Sequence, residues 1–423
     1  MSKKIVIFGG GPAGLAAAHQ LLQRQDGRFD VTIIEKEPRL GGLASTIPYK
    51  SFHIPRYYHH VIENNATTKA FLDRFGMLDD ATWKPINLAI GVHGYYRNIT
   101  RISELLRFPY LSFYEKLRFG LFGLYTLFLM DPSKIPDDMD AKEWLERYAG
   151  THVTRKVFHE LYAKNKFNTG LDMISAKQFA NRLREREIYE RFTYPKQGLQ
   201  TFIDRLRDEI QNAGGTIIYP EEITNIDLRS KIVHCGKMEI KADAIINTIP
   251  IPEFLNVAKH LPSAYRKQLK RLRYCPAVCM TIATKGFLDP DVYWFNLFKE
   301  DVHVVIQHSV LYDGYPEKIS WVLRYGGSEE DLPLSDEEIT KKYGKALHKY
   351  FPETEIIWSK ITRDRYGEPV YDKDYREYMP TYRTPVKGLY MAGIQVTYPK
   401  IRNMNSALES GLEVAKMIQE DVR

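Results

Sequence analysis

Ile5-Val6-Ile7-Phe8-Gly9-Gly10-Gly11-Pro12-Ala13-Gly14 is the stretch that decides the fold. Its first four residues form the apolar, largely β-branched run that suits a buried parallel strand. They lead directly into Gly9, Gly11 and Gly14, which fit the pattern GxGxxG, while Leu15-Ala16-Ala17-Ala18 and Leu21-Leu22 continue as a helix. The first glycine permits the tight turn, the second lets the backbone approach a pyrophosphate, and the third lets helix and strand pack closely. With Pro12 and Ala13 they open the positive end of that helix, where phosphates sit. Val31-Thr32-Ile33-Ile34 reads as the second strand and ends at Glu35, about twenty residues beyond the glycines. A carboxylate there accepts from both ribose hydroxyls and repels a 2′-phosphate, so an unphosphorylated adenosine is expected. NAD and FAD both remain open at this point.

The rest of the chain bounds the possibilities. Its 423 residues predict two or three domains, not one small module. The 60 Lys+Arg against 53 Asp+Glu give a net charge of +7, with 44% hydrophobic and 27% charged residues. These are globular values that exclude wholesale disorder and a polytopic membrane protein. The 28 tyrosines outnumber the 20 phenylalanines, which favours half-wet places such as clefts, because a buried phenol needs a polar partner. Cys235, Cys275 and Cys279 offer neither a CxxC pair nor a four-ligand metal site, so a reducing, cytoplasmic setting and no metal are expected. Lys3-Lys4 before an apolar run superficially resembles a signal peptide, but the glycines and Pro12 stand where a phosphate turn needs them. The basic run from Arg266 to Arg273 carries Leu269 and Leu272 at helical spacing, which reads as the solvated face of an amphipathic helix rather than a nucleic-acid footprint.

Arg39-Leu40-Gly41-Gly42-Leu43-Ala44-Ser45 follows Glu35 and Lys36 closely. Here the sequence resembles the FAD-dependent amine oxidase, protoporphyrinogen oxidase and phytoene desaturase superfamily. The resemblance implies FAD, with this stretch running along the pyrophosphate and flavin and Arg39 supplying a fixed positive charge. It continues in blocks. Gly214-Gly215-Thr216-Ile217 through Ile223 and Ile226 looks like the family's middle cofactor segment, with the Ile223 backbone on adenine, and Ala242 through Thr248 to Pro250 looks like the strand that follows. Gly388-Leu389-Tyr390-Met391-Ala392-Gly393, then Asn403-Met404-Asn405-Ser406-Ala407, is similar to the closing strand, loop and helix, whose amides are implied to face the flavin. Many members carry an acidic residue directly after the final strand glycine, where this chain has Ile394. The 398–405 loop instead looks similar to that of the UDP-galactopyranose mutases, which implies flavin contacts from the Met404 and Asn405 backbone.

The substrate side is coarser. Ser51 to His60 is strand-like and gathers Arg56, Tyr57, Tyr58, His59 and His60. The mutases carry a histidine at the position aligned with His60, which makes His60, with His59 beside it, a candidate flavin- or substrate-facing residue; His60, Tyr58 and, further along, His308 are the candidate catalytic residues around a flavin that carries the chemistry. The runs 277–283, 302–308 and 319–324 suggest an antiparallel sheet over the flavin, with His308 and Tyr325 as candidate wall residues. Residues 103–191 are mostly helical by pattern. Within them 105–130 permits three readings: core helices roofing the cavity, a peripheral membrane contact, or a partner-helix surface.

The expected architecture is α/β with an α+β substrate part. A discontinuous Rossmann-like FAD-binding domain (1–50, 193–250 and 385–423) joins a mixed-sheet substrate domain (51–100 and 251–384) and a helical insertion (101–192). The function implied is FAD-dependent oxidation or desaturation of a small organic, isoprenoid-like, glycan-related or lipid-linked molecule, in the cytoplasm or at a membrane surface. A mutase-like use of flavin without net redox change and a non-catalytic carrier similar to the dissociation inhibitors are the alternatives.

Overall fold

The computed structural model describes residues 2–23, 27–79, 81–184 and 190–421. Its first sheet contains five parallel strands in the order Thr216–Ile218, Phe29–Ile34, Lys3–Phe8, Ala244–Asn247, Leu389–Met391. The decisive strand is central, with Ile5 level with Val31 on one side and Ala244 on the other. Ile5, Val6, Ile7 and Phe8 are fully buried because both faces of the sheet are covered. The Pro12–Leu22 helix packs against the Met404–Asp421 helix so tightly that a Cβ on Gly411 would lie 2.1 Å from the Ala13 carbonyl oxygen. The first and last segments of the described chain are thereby locked together. A four-stranded sheet, Met238–Lys241, Ile232–Cys235, Ile223–Asp227 and Ala258–Lys259, covers the other side through Ile226, Val233 and Cys235, with Phe254 of the Ile251–Val257 helix packed among them.

The largest sheet has seven strands, in the order Ile356–Pro369, Tyr274–Thr284, Lys318–Arg324, Val304–Gln307, Trp294–Phe298, Leu88–Val92, Tyr95–Asn98. All its pairs are antiparallel except Trp294–Phe298 with Leu88–Val92, so it is mixed. Alternation along Tyr274–Thr284 sends Val278, Met280 and Ile282 towards the Asp336–His348 helix, and Ala277, Cys279 and Ala283 into the core shared with the parallel sheet. The strand expected over 51–60 is shorter, Phe52–Pro55, and pairs with Thr46–Tyr49 as a hairpin.

Five helices, Ile102–Arg107, Phe113–Phe128, Ala141–Ala149, the π-helical Thr154–Phe167 and Ala176–Arg184, gather around Phe122, Trp144, Phe158 and Phe179. Residues 185–189 of the expected helical run lie outside the described residues, and Arg191–Thr193 is a strand. All three cysteines are free and buried.

Candidate functional site

A cavity of about 810 Å³ runs from the tips of the parallel strands to the inner face of the seven-stranded sheet. At one end it is lined by Gly9, Gly11, Pro12, Ala13, Glu35, Lys36, Gly42, Leu43, Ile223, Thr248, Gly393, Met404 and Ala407. These come from both ends and the middle of the chain, and the fold brings them to one place. Gly9 has φ +95°, and a Cβ there would lie 2.8 Å from the Thr248 hydroxyl, which itself donates to the Phe8 carbonyl at 2.6 Å. Gly42, at φ +53°, faces Gly11 so closely that its Cβ would stand 3.3 Å from the Gly11 Cα. This cradle of bare backbone is what a pyrophosphate needs. Glu35 is only 7% exposed, and its two oxygens accept from the Gly10 N–H at 2.7 Å and the Glu37 N–H at 2.8 Å. Burial pushes its carboxyl above the usual range, against the lowering pull of those two amides. Residues of this kind fit an adenine dinucleotide.

Other expected contacts lie away from the cavity. Gly14 is a packing residue, since its Cβ would meet the Gly9 carbonyl oxygen at 2.1 Å. Gly41, at φ +112°, closes the loop by donating to the Gly10 carbonyl at 2.8 Å. Arg39 is half-buried and does not line the cavity, although its position in the sequence put it on the pyrophosphate. The Asn405 side chain accepts from the Thr68 N–H at 2.9 Å and donates to Glu409 at 2.8 Å, tying the Ala66–Arg74 helix to the closing helix. Ile394 does line the cavity, and Gln395 beside it is held by its amide on the Ala392 carbonyl at 2.7 Å.

At the inner end stand Tyr57, Tyr58, His59, His60, Trp294 and Tyr325. His60 Nδ1 is 3.0 Å from the Tyr293 hydroxyl, and its ring lies 4.6 Å from that of Phe192. Burial pulls its pKa down to about 3, so the imidazole is neutral at physiological pH and offers a hydrogen bond rather than a charge. Tyr58 stacks on it at 5.8 Å. His308 is different: it is fully buried outside the cavity, enclosed by Tyr194 at 4.5 Å, Trp321 at 4.6 Å and Tyr315 at 5.5 Å. The catalytic expectation for His308 gives way to a core position, because the neighbouring strands turn that face into the aromatic cluster.

Beside them lies a charged group that the sequence reading missed. Arg402, 2% exposed at its side chain, donates through Nε to Glu368 at 2.9 Å and lies over the Tyr371 ring at 4.4 Å. Lys166 reaches the same carboxylate at 3.3 Å. Burial opposes ionisation of Glu368, but the charges of Arg402, Lys166 and Arg182 outweigh it and hold the carboxyl below its usual range. All four residues line the cavity, and the buried Nη1 of Arg402 has no hydrogen-bond partner among the described residues. Only the adjacency of Arg402 to Asn403-Met404 was a signal in the sequence. Three tyrosines fix the neighbouring loop: Tyr371 donates to the Ile394 carbonyl, Tyr375 to the Gln395 carbonyl at 2.8 Å, and Tyr398 shares a hydrogen bond with Ser175 at 2.7 Å.

A Rossmann-type glycine cradle joined to a mixed-sheet chamber defines a two-part dinucleotide-dependent protein. The family model described as flavin containing amine oxidoreductase matches residues 12–419, and the chain belongs to that family, whose cofactor is a flavin and whose chemistry is that of oxidoreductases. It is 25% identical over 306 residues to the coproporphyrinogen III oxidase of Staphylococcus aureus (strain NCTC 8325 / PS 47), a match covering 60% of this chain and 62% of that relative's length. The fold is similar to a protein of Exiguobacterium sp. 255-15 provisionally named a protoporphyrinogen oxidase, with TM-score 0.79, 18% identity and coverage of 100% and 99% of the two chains. It is also similar to reduced UDP-galactopyranose mutase, with TM-score 0.79, 14% identity and coverage of 99% and 96%.

Proposed function

We propose that this chain is an FAD-dependent oxidoreductase that takes hydrogen from a small organic substrate carrying a carboxylate or similar anionic group on an apolar or ring-shaped body. The observation that carries this reading is the Arg402 guanidinium, buried on the cavity wall with Nη1 unpartnered, beside Lys166, Arg182 and the Glu368 carboxylate. A bound anion supplies the missing acceptor, and a charge-assisted bond of that kind contributes about 1.5–3 kcal/mol. The same cations disfavour a protonated amine. Tyr58, Trp294 and Tyr325 offer the faces against which an apolar body packs. A porphyrinogen, the substrate class named for the S. aureus relative, meets both requirements.

Glu35 is assigned to the ribose hydroxyls, the Gly11 and Gly42 backbone to the pyrophosphate, and the Gly393 to Ala407 segment to the flavin. Bound flavin supplies a two-electron acceptor. The protein's own part is to exclude water, orient the substrate through Arg402 and the aromatic wall, and offer neutral His60 as a hydrogen-bond partner. Anaerobic mixing of the purified holoprotein with candidate carboxylates, their methyl esters and diamines tests the reading. Flavin bleaching by an acid, at least about tenfold faster than by its ester, is expected. A colourless protein that takes up no FAD, bleaching by diamines only, or turnover that needs prior reduction yet consumes no acceptor would each overturn it.

A further inference from the structure

The Phe113–Phe128 helix is amphipathic the wrong way round for a soluble protein. At 100° per residue, Phe113, Leu117, Leu121, Leu124 and Phe128 form one stripe. Phe113 and Phe128 are each 77% exposed, and Leu117, Leu121 and Leu124 are each at least half exposed. The opposite side holds the buried Phe122 and Glu115. Glu115 is neutralised within the protein by Lys156 at 2.9 Å and serves in the capping box with Ser112. The preceding Ile102–Arg107 helix adds Ile102 and Leu106 to the same run of exposed apolar residues. An exposed apolar surface of this extent marks an interaction site.

Charge identifies the occupant. Around the helix axis Lys116 and Arg118 fall on either shoulder of the stripe, and Arg107 is 73% exposed nearby. Residues 119–130 carry no charge at all, and Glu104, the remaining carboxylate of the segment, is tied to Arg97 at 3.4 Å and Arg107 at 3.2 Å. An apolar stripe with basic shoulders matches the boundary between acyl chains and anionic headgroups. A two-fold dimer through this patch would set basic shoulder against basic shoulder, whichever way the paired helices ran. The helix has 16 residues, and none among the described residues is long and apolar enough to cross a membrane, so the contact is one of lying in the surface.

We propose that the Ile102–Leu129 surface docks the enzyme on an anionic lipid leaflet, with the stripe from Phe113 to Phe128 inserted among the acyl chains. The inference concerns where the protein works and is independent of its substrate. Flotation of the FAD-loaded full chain is expected to carry it with vesicles of phosphatidylcholine containing about one-third phosphatidylglycerol, and more weakly with phosphatidylcholine alone. Replacing Phe113, Leu117, Leu121 and Leu124 together by Ser should lower partitioning by about 100-fold or more while leaving flavin content and dye-coupled turnover unchanged. K116Q/R118Q should weaken binding to the anionic vesicles by roughly tenfold and leave binding to the neutral ones alone. Because the native cysteines are buried, Leu121→Cys can carry an environment-sensitive fluorophore, which should shift to the blue on anionic vesicles. Wild-type protein that stays with the vesicle-free fraction, or a label that does not respond, overturns the proposal. So does a solution dimer that the serine variant splits into monomers, since a second copy would then be the occupant.

Discussion

Glu35→Gln separates a ribose-binding carboxylate from a merely structural one. In the protein each carboxylate oxygen already accepts one backbone N–H, from Gly10 at 2.7 Å and from Glu37 at 2.8 Å, which leaves each a further lone pair for a ribose hydroxyl. Glutamine keeps one acceptor but turns an NH₂ towards a backbone donor, so one backbone bond and one ribose bond are lost. A hydrogen bond to a charged partner contributes about 1.5–3 kcal/mol, so the ribose share alone predicts FAD affinity lower by roughly 10- to 150-fold. Stability of the FAD-free protein should change less, because removing a buried charge relieves the desolvation that raises the Glu35 pKa and offsets part of the lost backbone bond. The pH dependence adds a second signature. A carboxyl whose folded pKa is raised contributes stability that is present below the unfolded value and lost as pH rises through the folded one. FAD needs the ionised form, so affinity should climb with pH across the window just above the ordinary glutamate range and then level off, and the glutamine variant should show no such climb. Quenching of flavin fluorescence on titration into FAD-free protein, paired with thermal melts in the absence of FAD, measures both quantities. FAD binding by the variant within twofold of wild type, or equal losses in affinity and in FAD-free stability, would refute the ribose assignment.

Other outcomes follow from the same geometry. Arg402→Lys keeps a cation for Glu368 but removes Nη1, so KM for an anionic substrate should rise by about tenfold with flavin content unchanged; an effect on kcat alone would point to a different role. His60, His303 and His308 have pKa values lowered by burial to about 3, about 4 and about 3, so the stability they hold above the ordinary histidine pKa is lost as pH falls from about 6.5 towards 3 to 4. His308→Phe should flatten that fall by up to about 1.4 kcal/mol per pH unit in denaturant titrations, without changing flavin reduction. Gly411→Ala forces a Cβ to 2.1 Å from the Ala13 carbonyl oxygen and should cost about 1–3 kcal/mol, whereas Gly344→Ala, with open space around it in the Asp336–His348 helix, should be neutral or slightly stabilising; equal melting temperatures for the two would contradict the close helix contact.

The parallel sheet and the glycine cradle were legible because each depends on local rules. A β-branched run reads as a buried strand, and a glycine is required wherever φ is positive or a backbone approaches closely, as at Gly9 and Gly42. The family's blocks then joined segments nearly four hundred residues apart into one cavity. Charge pairing across the fold leaves no such trace. Lys166 ends one helix, Glu368 ends a strand and Arg402 sits in the closing loop, so nothing in their spacing announces that they share one buried ion cluster. His308 misled for the complementary reason. Histidine is compatible with a catalytic wall and with an aromatic core, and only the direction in which the chain turns after Val304–Gln307 decides between them.

The same limit explains residues 105–130. Periodicity establishes that Phe113–Phe128 is an amphipathic helix, yet periodicity has no sign: it gives an apolar side and a polar side without saying which one the protein covers. Core roofing and membrane contact therefore have the same sequence signature. What breaks the tie is the polar side. Glu115 is buried and paired with Lys156, and the helix is anchored by Phe122 against Trp144 and Phe158, so the residues with the least claim on solvent are the ones left in it. Turning the helix to bury Leu117, Leu121 and Leu124 would break the Glu115 to Lys156 pair and pull Phe122 out of its cluster. The protein therefore does not hide the stripe by a small rearrangement, and a stripe held open in this way is the geometry that the proposed lipid contact requires.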